Sequence, residues 1–285
     1  MTPPTAGRLA ALGFWAVLLL LLPVLLLQAL WTAWRTPRLP EAAGPREGQI
    51  APASDAAAAR EEARFRLLVV GESTAVGVGV PRLDEALAAR LAAAIVERTG
   101  LVVDWRVIGA NGARVARAAA LLASGPVGPA PALALVPMGV NDTVKLSALA
   151  SWHAALETLA GSLRQQGAKH IAFASVPPVG WFTALPRPLR WLLGWRARQL
   201  DRVLLEWCAG AGPDVHYLPI RFPPLPELLA EDGYHPGAEG YRRWASLLAD
   251  QLLASGLTAA GPARQSAGRP SSPPPPPSPP PSHTD

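Results

Sequence analysis

The chain between residues 65 and 257 alternates short apolar runs with longer segments of helical period. RLLVVG (Arg66–Gly71) reads as a buried strand, and LDEALAARLAAAIVER (Leu83–Arg98) as an amphipathic helix. VVDWRVI (Val102–Ile108) is a second strand, followed by a helix over Ala113–Leu122. ALALVP (Ala132–Pro137) and HIAFASV (His170–Val176) are strands that flank a long helix over Leu146–Gln166. VHYLP (Val215–Pro219) is a fifth strand, and Ala238–Ala254 is a closing helix. Strands that alternate with helices predict a parallel sheet covered on both faces. Right-handed crossovers then favour an α/β, three-layer, flavodoxin-like doubly wound order, with sites beyond the C-terminal ends of the strands.

Three other stretches break this rhythm. Leu9 to Trp34 contains no charged residue and carries Trp15, Trp31 and Trp34 toward its ends. A helix of ~20 apolar residues crosses a bilayer core, so this stretch predicts a single-pass N-terminal membrane anchor, with a cleaved signal peptide as the competing reading. Arginines flank it on both sides (Arg8; Arg35, Arg38, Arg46), which leaves the membrane side open. Residues 36–64, rich in Pro, Ala and charge, read as a linker, with a short helix expected from Ser54 to Arg64. Residues 258–285 include SSPPPPPSPPPS and read as a disordered or polyproline tail. The expected organisation is an anchor over 1–35, a linker over 36–64, an α/β domain over 65–257 and a tail over 258–285. Val179–Gly210, between the fourth and fifth strands, is rich in Trp, Leu and Arg. Leu189, Leu192, Leu193 and Trp195 fall at helical spacing there, as a core-covering helix or as the apolar wall of a site or a membrane-surface contact.

Charge narrows the partners. The formal net charge is +5 with pI ≈ 10.1, yet no dense basic run with interleaved aromatics marks a nucleic-acid surface. The single cysteine, Cys208, excludes an intramolecular disulfide and reads as an inert, packed thiol. No Cys/His cluster suggests a metal, and no cofactor motif stands out.

The chemistry sits in four separated segments. Gly71-Glu72-Ser73 follows the first strand and offers an exposed hydroxyl at a glycine-flanked turn. A Gly-Lys-Ser/Thr phosphate loop is absent, and Ala75 replaces the last glycine of a Gly-x-Ser-x-Gly elbow. Asp232-Gly-Tyr-His235 spaces a carboxylate to accept from Nδ1–H of an imidazole, leaving Nε2 to serve as base. Gly139-Val-Asn141-Asp142 ends the third strand with an amide donor, and Gly112 in GANGAR offers a backbone N–H after the second. His153, His170, His216 and His283 make weaker bases by their positions in elements or in the tail.

Together these residues resemble the SGNH (GDSL-type) hydrolase family. The likeness runs from Phe65 to about Leu257, with Glu72 where the family usually has Asp and Gly-x-Asn-Asp matched in full by Gly139–Asp142. The resemblance implies a serine esterase: Ser73 as nucleophile, His235 as base, Asp232 as its orienter, and Ser73, Gly112 and Asn141 as oxyanion donors. Gly109 is the rival glycine for the second block. No metal or cofactor is implied. The substrate would be a small acyl ester or a lipid ester such as a lysophospholipid. An O-deacetylase or acyltransferase on envelope glycans is the alternative, and a membrane-tethered docking protein using its Pro-rich tail is the non-enzymatic one.

Overall fold

A computed structural model describes residues 5–53, 64–124, 128–219 and 225–258. The helix expected over Ser54–Arg64 and the Pro-rich tail therefore lie almost wholly outside the described residues. Helix α1 (Thr5–Arg35) precedes a short strand, β1 (Glu47–Ile50). The order continues β2 (Arg64–Gly71), α2 (Leu87–Thr99), β3 (Val102–Gly109), α3 (Val115–Ala123), β4 (Leu133–Val136) and α4 (Val140–Val144). It ends with α5 (Leu149–Gln165), β5 (His170–Ala174), α6 (Leu189–Gly210), β6 (Val215–Leu218) and α7 (Ala238–Ala254).

The strands form one sheet in the order β1-β3-β2-β4-β5-β6. From β3 to β6 all pairings are parallel, in the flavodoxin-like arrangement. Strand β1 adds an antiparallel edge, pairing Glu47 with Arg106 and Ile50 with Val103. This corrects the reading of residues 36–64 as a plain linker. Gln49 and Ile50 have the period-2 alternation of an edge strand, but four residues are too few to announce one. Ala42 and Ala43 also bond to the backbone of Val76 and Pro81, so this stretch is fastened to the domain beside the turn that carries Ser73.

Period-2 alternation sends the two faces of β2 into different cores. Phe65, Leu67 and Val69 pack with α2 and α7, while Leu68 and Val70 pack toward α3, α5 and α6. This is why the apolar run is nearly continuous: a central parallel strand is buried on both sides. One expected boundary shifts. The helix expected from Leu83 starts as a 3-10 turn over Leu83–Glu85, and α2 proper begins at Leu87.

Helix α1 is apolar on all sides, and Gly13–Arg35 has a mean hydropathy of 2.4. It is long and apolar enough to cross a bilayer, a property that N-terminal signal sequences share. In the structure it lies against α6. Phe14, Leu18 and Leu25 are buried in the same core as Leu189, Leu192 and Leu193, and each is worth roughly 1.5–3 kcal/mol when taken from water.

Candidate active site

Ser73 follows β2 by two residues, on a turn held by its own backbone. Ala75 N donates to Glu72 O at 3.0 Å and Val78 N to Ser73 O at 3.0 Å. Ala75, Val76 and Val78 are buried, so the turn is anchored in the core. Gly79 has φ +106°, and a Cβ there would stand 2.3 Å from the Pro236 carbonyl oxygen. Only glycine permits the histidine loop to press this closely on the serine loop.

The histidine loop is built from its sequence outward. Ala230 N donates to His235 O at 2.8 Å and closes a loop around Gly233, whose φ is +71°. Asp232 Oδ1 accepts from the backbone N–H groups of Tyr234 and His235 at 2.9 and 3.0 Å. Its Oδ2 lies 2.6 Å from His235 Nδ1. Burial pushes the Asp232 carboxyl up, but His235 and the two backbone donors more than offset this and hold it below the ordinary range. An ionised carboxylate on Nδ1 fixes the ring and leaves Nε2 for chemistry.

The third loop is tied to the first by Glu72. Its carboxylate accepts from the backbone N–H groups of Gly139, Val140 and Asn141, each at 3.0 Å, and from Asn141 Nδ2. Glu72 is 2 % exposed, so these donors replace the water it has lost. An amide nitrogen carries two hydrogens, and binding one to Glu72 fixes the side chain so that the other remains for a ligand. The neighbouring Asp142 accepts from Val115 N at 3.0 Å and from Ser147 Oγ at 2.6 Å. Lys145 Nζ donates to Gly112 O at 2.9 Å. The loops after β2, β3 and β4 are thus linked by side chains of the first and the third.

These loops enclose a cavity of ≈ 240 Å³. Ser73, Asn141 and His235 all line it, with Pro177, Pro178 and Phe182 among its apolar walls. The profile of the GDSL-like lipase/acylhydrolase family matches residues 69–243, a span that contains all three loops. The chain belongs to that family. A GDSL-like esterase from Mycobacterium tuberculosis, Rv1075c, is 32% identical over 199 residues. The match covers 66% of this chain and 62% of that relative, so the chain spans under two thirds of the relative's length. Among solved structures, a family 3 carbohydrate esterase from Clostridium thermocellum superposes with TM-score 0.53 at 16% identity, covering 69% of this chain and all (100%) of that one. The lipase Lip_vut3 from a goat rumen metagenome gives TM-score 0.52 at 15% identity, covering 65% and 95%. At such identities the likeness concerns the fold.

Set against the sequence expectations for a GDSL-family site, Ser73, Asn141 and His235 share one cavity, and Asp232 lies behind His235. Gly112 adjoins the cavity-lining Asn111 and has φ +74°, with open space where a Cβ would stand. Gly109 is the last residue of β3, and a Cβ there would meet Gly71 O at 2.4 Å, which gives it a packing role. His153, His170 and His216 lie outside the cavity lining, and His283 outside the described residues. Cys208 is buried, and burial with the nearby Asp201 pushes its thiol up to about 12, as expected of an inert thiol. The residue that sequence reasoning undervalued is Glu72. Its signal was the single extra methylene beside Ser73, which supplies the reach to the β4 loop.

Glu72 also makes stability depend on pH. Burial pushes its carboxyl from 4.5 up to about 6, while the bonds from Asn141 and Val140 pull the other way. Between those values the folded protein binds a proton that the unfolded chain has released. Stability therefore falls as pH rises through that window, by about 2 kcal/mol for a shift of this size. Glu72→Gln is expected to remove that slope, which urea melts of the two proteins across the window would measure.

Proposed function

We propose that this protein is a serine esterase that cleaves carboxylic esters through a covalent acyl-enzyme on Ser73. His235 Nε2 takes the proton from Ser73 Oγ as the hydroxyl oxygen bonds to the substrate carbonyl carbon. The carbonyl electrons move onto oxygen, where Asn141 Nδ2, Ser73 N–H and Gly112 N–H are the donors assigned to the oxyanion. Collapse expels the alcohol, which receives the proton from His235. Water then repeats the sequence and releases the acid. Asp232 stays ionised throughout and supports the imidazolium. The chemistry needs no metal, and among the described residues no cluster of His, Cys, Asp and Glu suits one.

The observation that carries this reading is the convergence of Ser73, Asn141 and His235 on one cavity, with Asp232 2.6 Å from the histidine. The apolar walls favour an acyl chain over a polar acid. The cavity is smaller than the ~300–1,000 Å³ of sites for drug-sized ligands, so only a short-to-medium chain is enclosed. With α1 long and apolar, we place the enzyme at a membrane, acting on lipid or other amphiphilic esters.

A panel of p-nitrophenyl esters of rising chain length tests the reading. The expected result is that kcat/KM rises with the first methylenes and stops rising once the chain outgrows the cavity. Turnover of acetyl esters alone would redirect the assignment to deacetylation, and no turnover of any member would reject it.

A further inference from the structure

We propose that α1 is a docking strap: it stays seated on α6 and lays its outward face on a lipid surface, bringing the mouth of the Ser73 cavity to that surface. The activity part of this proposal rests on the esterase reading; the binding part does not.

Two faces of α1 do different jobs. Phe14, Leu18, Leu25 and Gln28 recur at intervals of four, seven and three, which places them on one side of a helix. That side meets the catalytic domain. Phe14 is fully buried and packs edge-on against Trp195 at 5.5 Å between ring centroids. It also covers the guanidinium of Arg196 at 5.4 Å. Gln28 Oε1 accepts from Leu189 N at 3.0 Å, and its Nε2 donates to Arg187 O at 2.5 Å. The opposite side is left uncovered: Leu20 is 80% exposed, Leu27 69% and Trp34 84%. An apolar strip of this length beside a soluble domain is what a lipid surface covers.

The occupant follows from what flanks the strip. Arg35 lies over Trp31 and Arg187 over Trp191, each guanidinium about one ring-contact away, and Trp181 is also exposed. Trp and Arg side by side at the margin of an apolar band is the chemistry of the headgroup layer. A helix crossing the bilayer while held on α6 would drag Arg187, Arg190 and Arg196, all on the stretch it is held against, into hydrocarbon. Lying in the plane of the interface avoids this and keeps every contact seen.

The strap and the cavity share a segment. Pro177, Pro178 and Phe182 wall the cavity, and the same segment runs on to the Arg187–Leu189 backbone that Gln28 holds. Phe182 packs edge-on against Tyr234, the neighbour of His235, at 6.1 Å between ring centroids. An amphiphilic ester can therefore pass its acyl chain from the lipid surface to Ser73 while the rest of the molecule stays in the interface.

The test uses the full chain on vesicles of phosphatidylcholine with phosphatidylglycerol. In a Cys208→Ser background, Gln28→Cys and Arg187→Cys are bridged by a short bismaleimide. The expected result is bridging of vesicle-bound enzyme, with vesicle binding retained once bridged. In a second chain, Leu20→Glu with Leu27→Glu is expected to lower vesicle binding at least tenfold while turnover of a soluble ester stays within twofold. Failure to bridge on vesicles, loss of vesicle binding on bridging, or a mature chain lacking α1 would each overturn the proposal. A chain that bridges and binds vesicles but cleaves no ester would refute the esterase reading and leave the lipid-docking surface standing.

Discussion

Ser73→Ala is expected to lower kcat on a p-nitrophenyl ester by at least ~10³, and His235→Ala by a similar factor. The double variant should be little worse than either single one. The reason is that the hydroxyl is a poor nucleophile without a base, and the base has nothing to deprotonate without the hydroxyl. Residual activity would come from the oxyanion donors and from binding, which both variants keep. Stability should hardly move, because Ser73 contributes one small hydroxyl at a cavity wall. A stopped assay on purified wild-type and variant chains, with thermal melts alongside, separates loss of chemistry from loss of fold.

Glu72→Ala should lower kcat by ~10²–10³, the usual cost of one oxyanion donor, although Glu72 itself touches no substrate in this mechanism. Removing the carboxylate leaves the N–H groups of Gly139, Val140 and Asn141 without their acceptor and frees the Asn141 amide. Each buried donor so orphaned costs ~1–3 kcal/mol unless water enters, so the melting temperature should fall as well. Glu72→Gln should be nearly as impaired, because half of the new amide points donors at donors. Glu72→Asp keeps the charge but loses reach, and should recover part of kcat with KM little changed. A purely structural role would instead reduce the number of active molecules without changing kcat per titrated site, so active-site titration decides between the two.

The fold was legible because burial imposes period and length. Among the described residues, five of the six strands and the long helices follow from apolar runs of four to eight residues and from helical spacing, and the closing helix falls over Ala238–Ala254 as expected. Strand β1 was not legible: its four residues gain their structure from the edge of β3, a tertiary partner that no local pattern announces. The site residues were legible as residue types at fixed offsets after strands. What could not be read was their mutual support. The bond of Glu72 to residues 67 to 69 positions away exists only because β2 and β4 are neighbours in the sheet. The seating of α1 was hidden for a related reason. Its sequence is apolar nearly all round, so Gln28 alone marks the face that meets α6, too little to set that face apart from the other.

One measurement bears most directly on the assignment of nucleophile and base. The chain is treated with a fluorophosphonate and its mass and labelled peptide are determined. The result expected is one adduct per chain on Ser73, absent in Ser73→Ala and formed at least ~10²-fold more slowly in His235→Ala, the scale of a lost general base. An ester-hydrolysing wild-type chain with Ser73 unmodified, or equal labelling of Ser73→Ala, would contradict it.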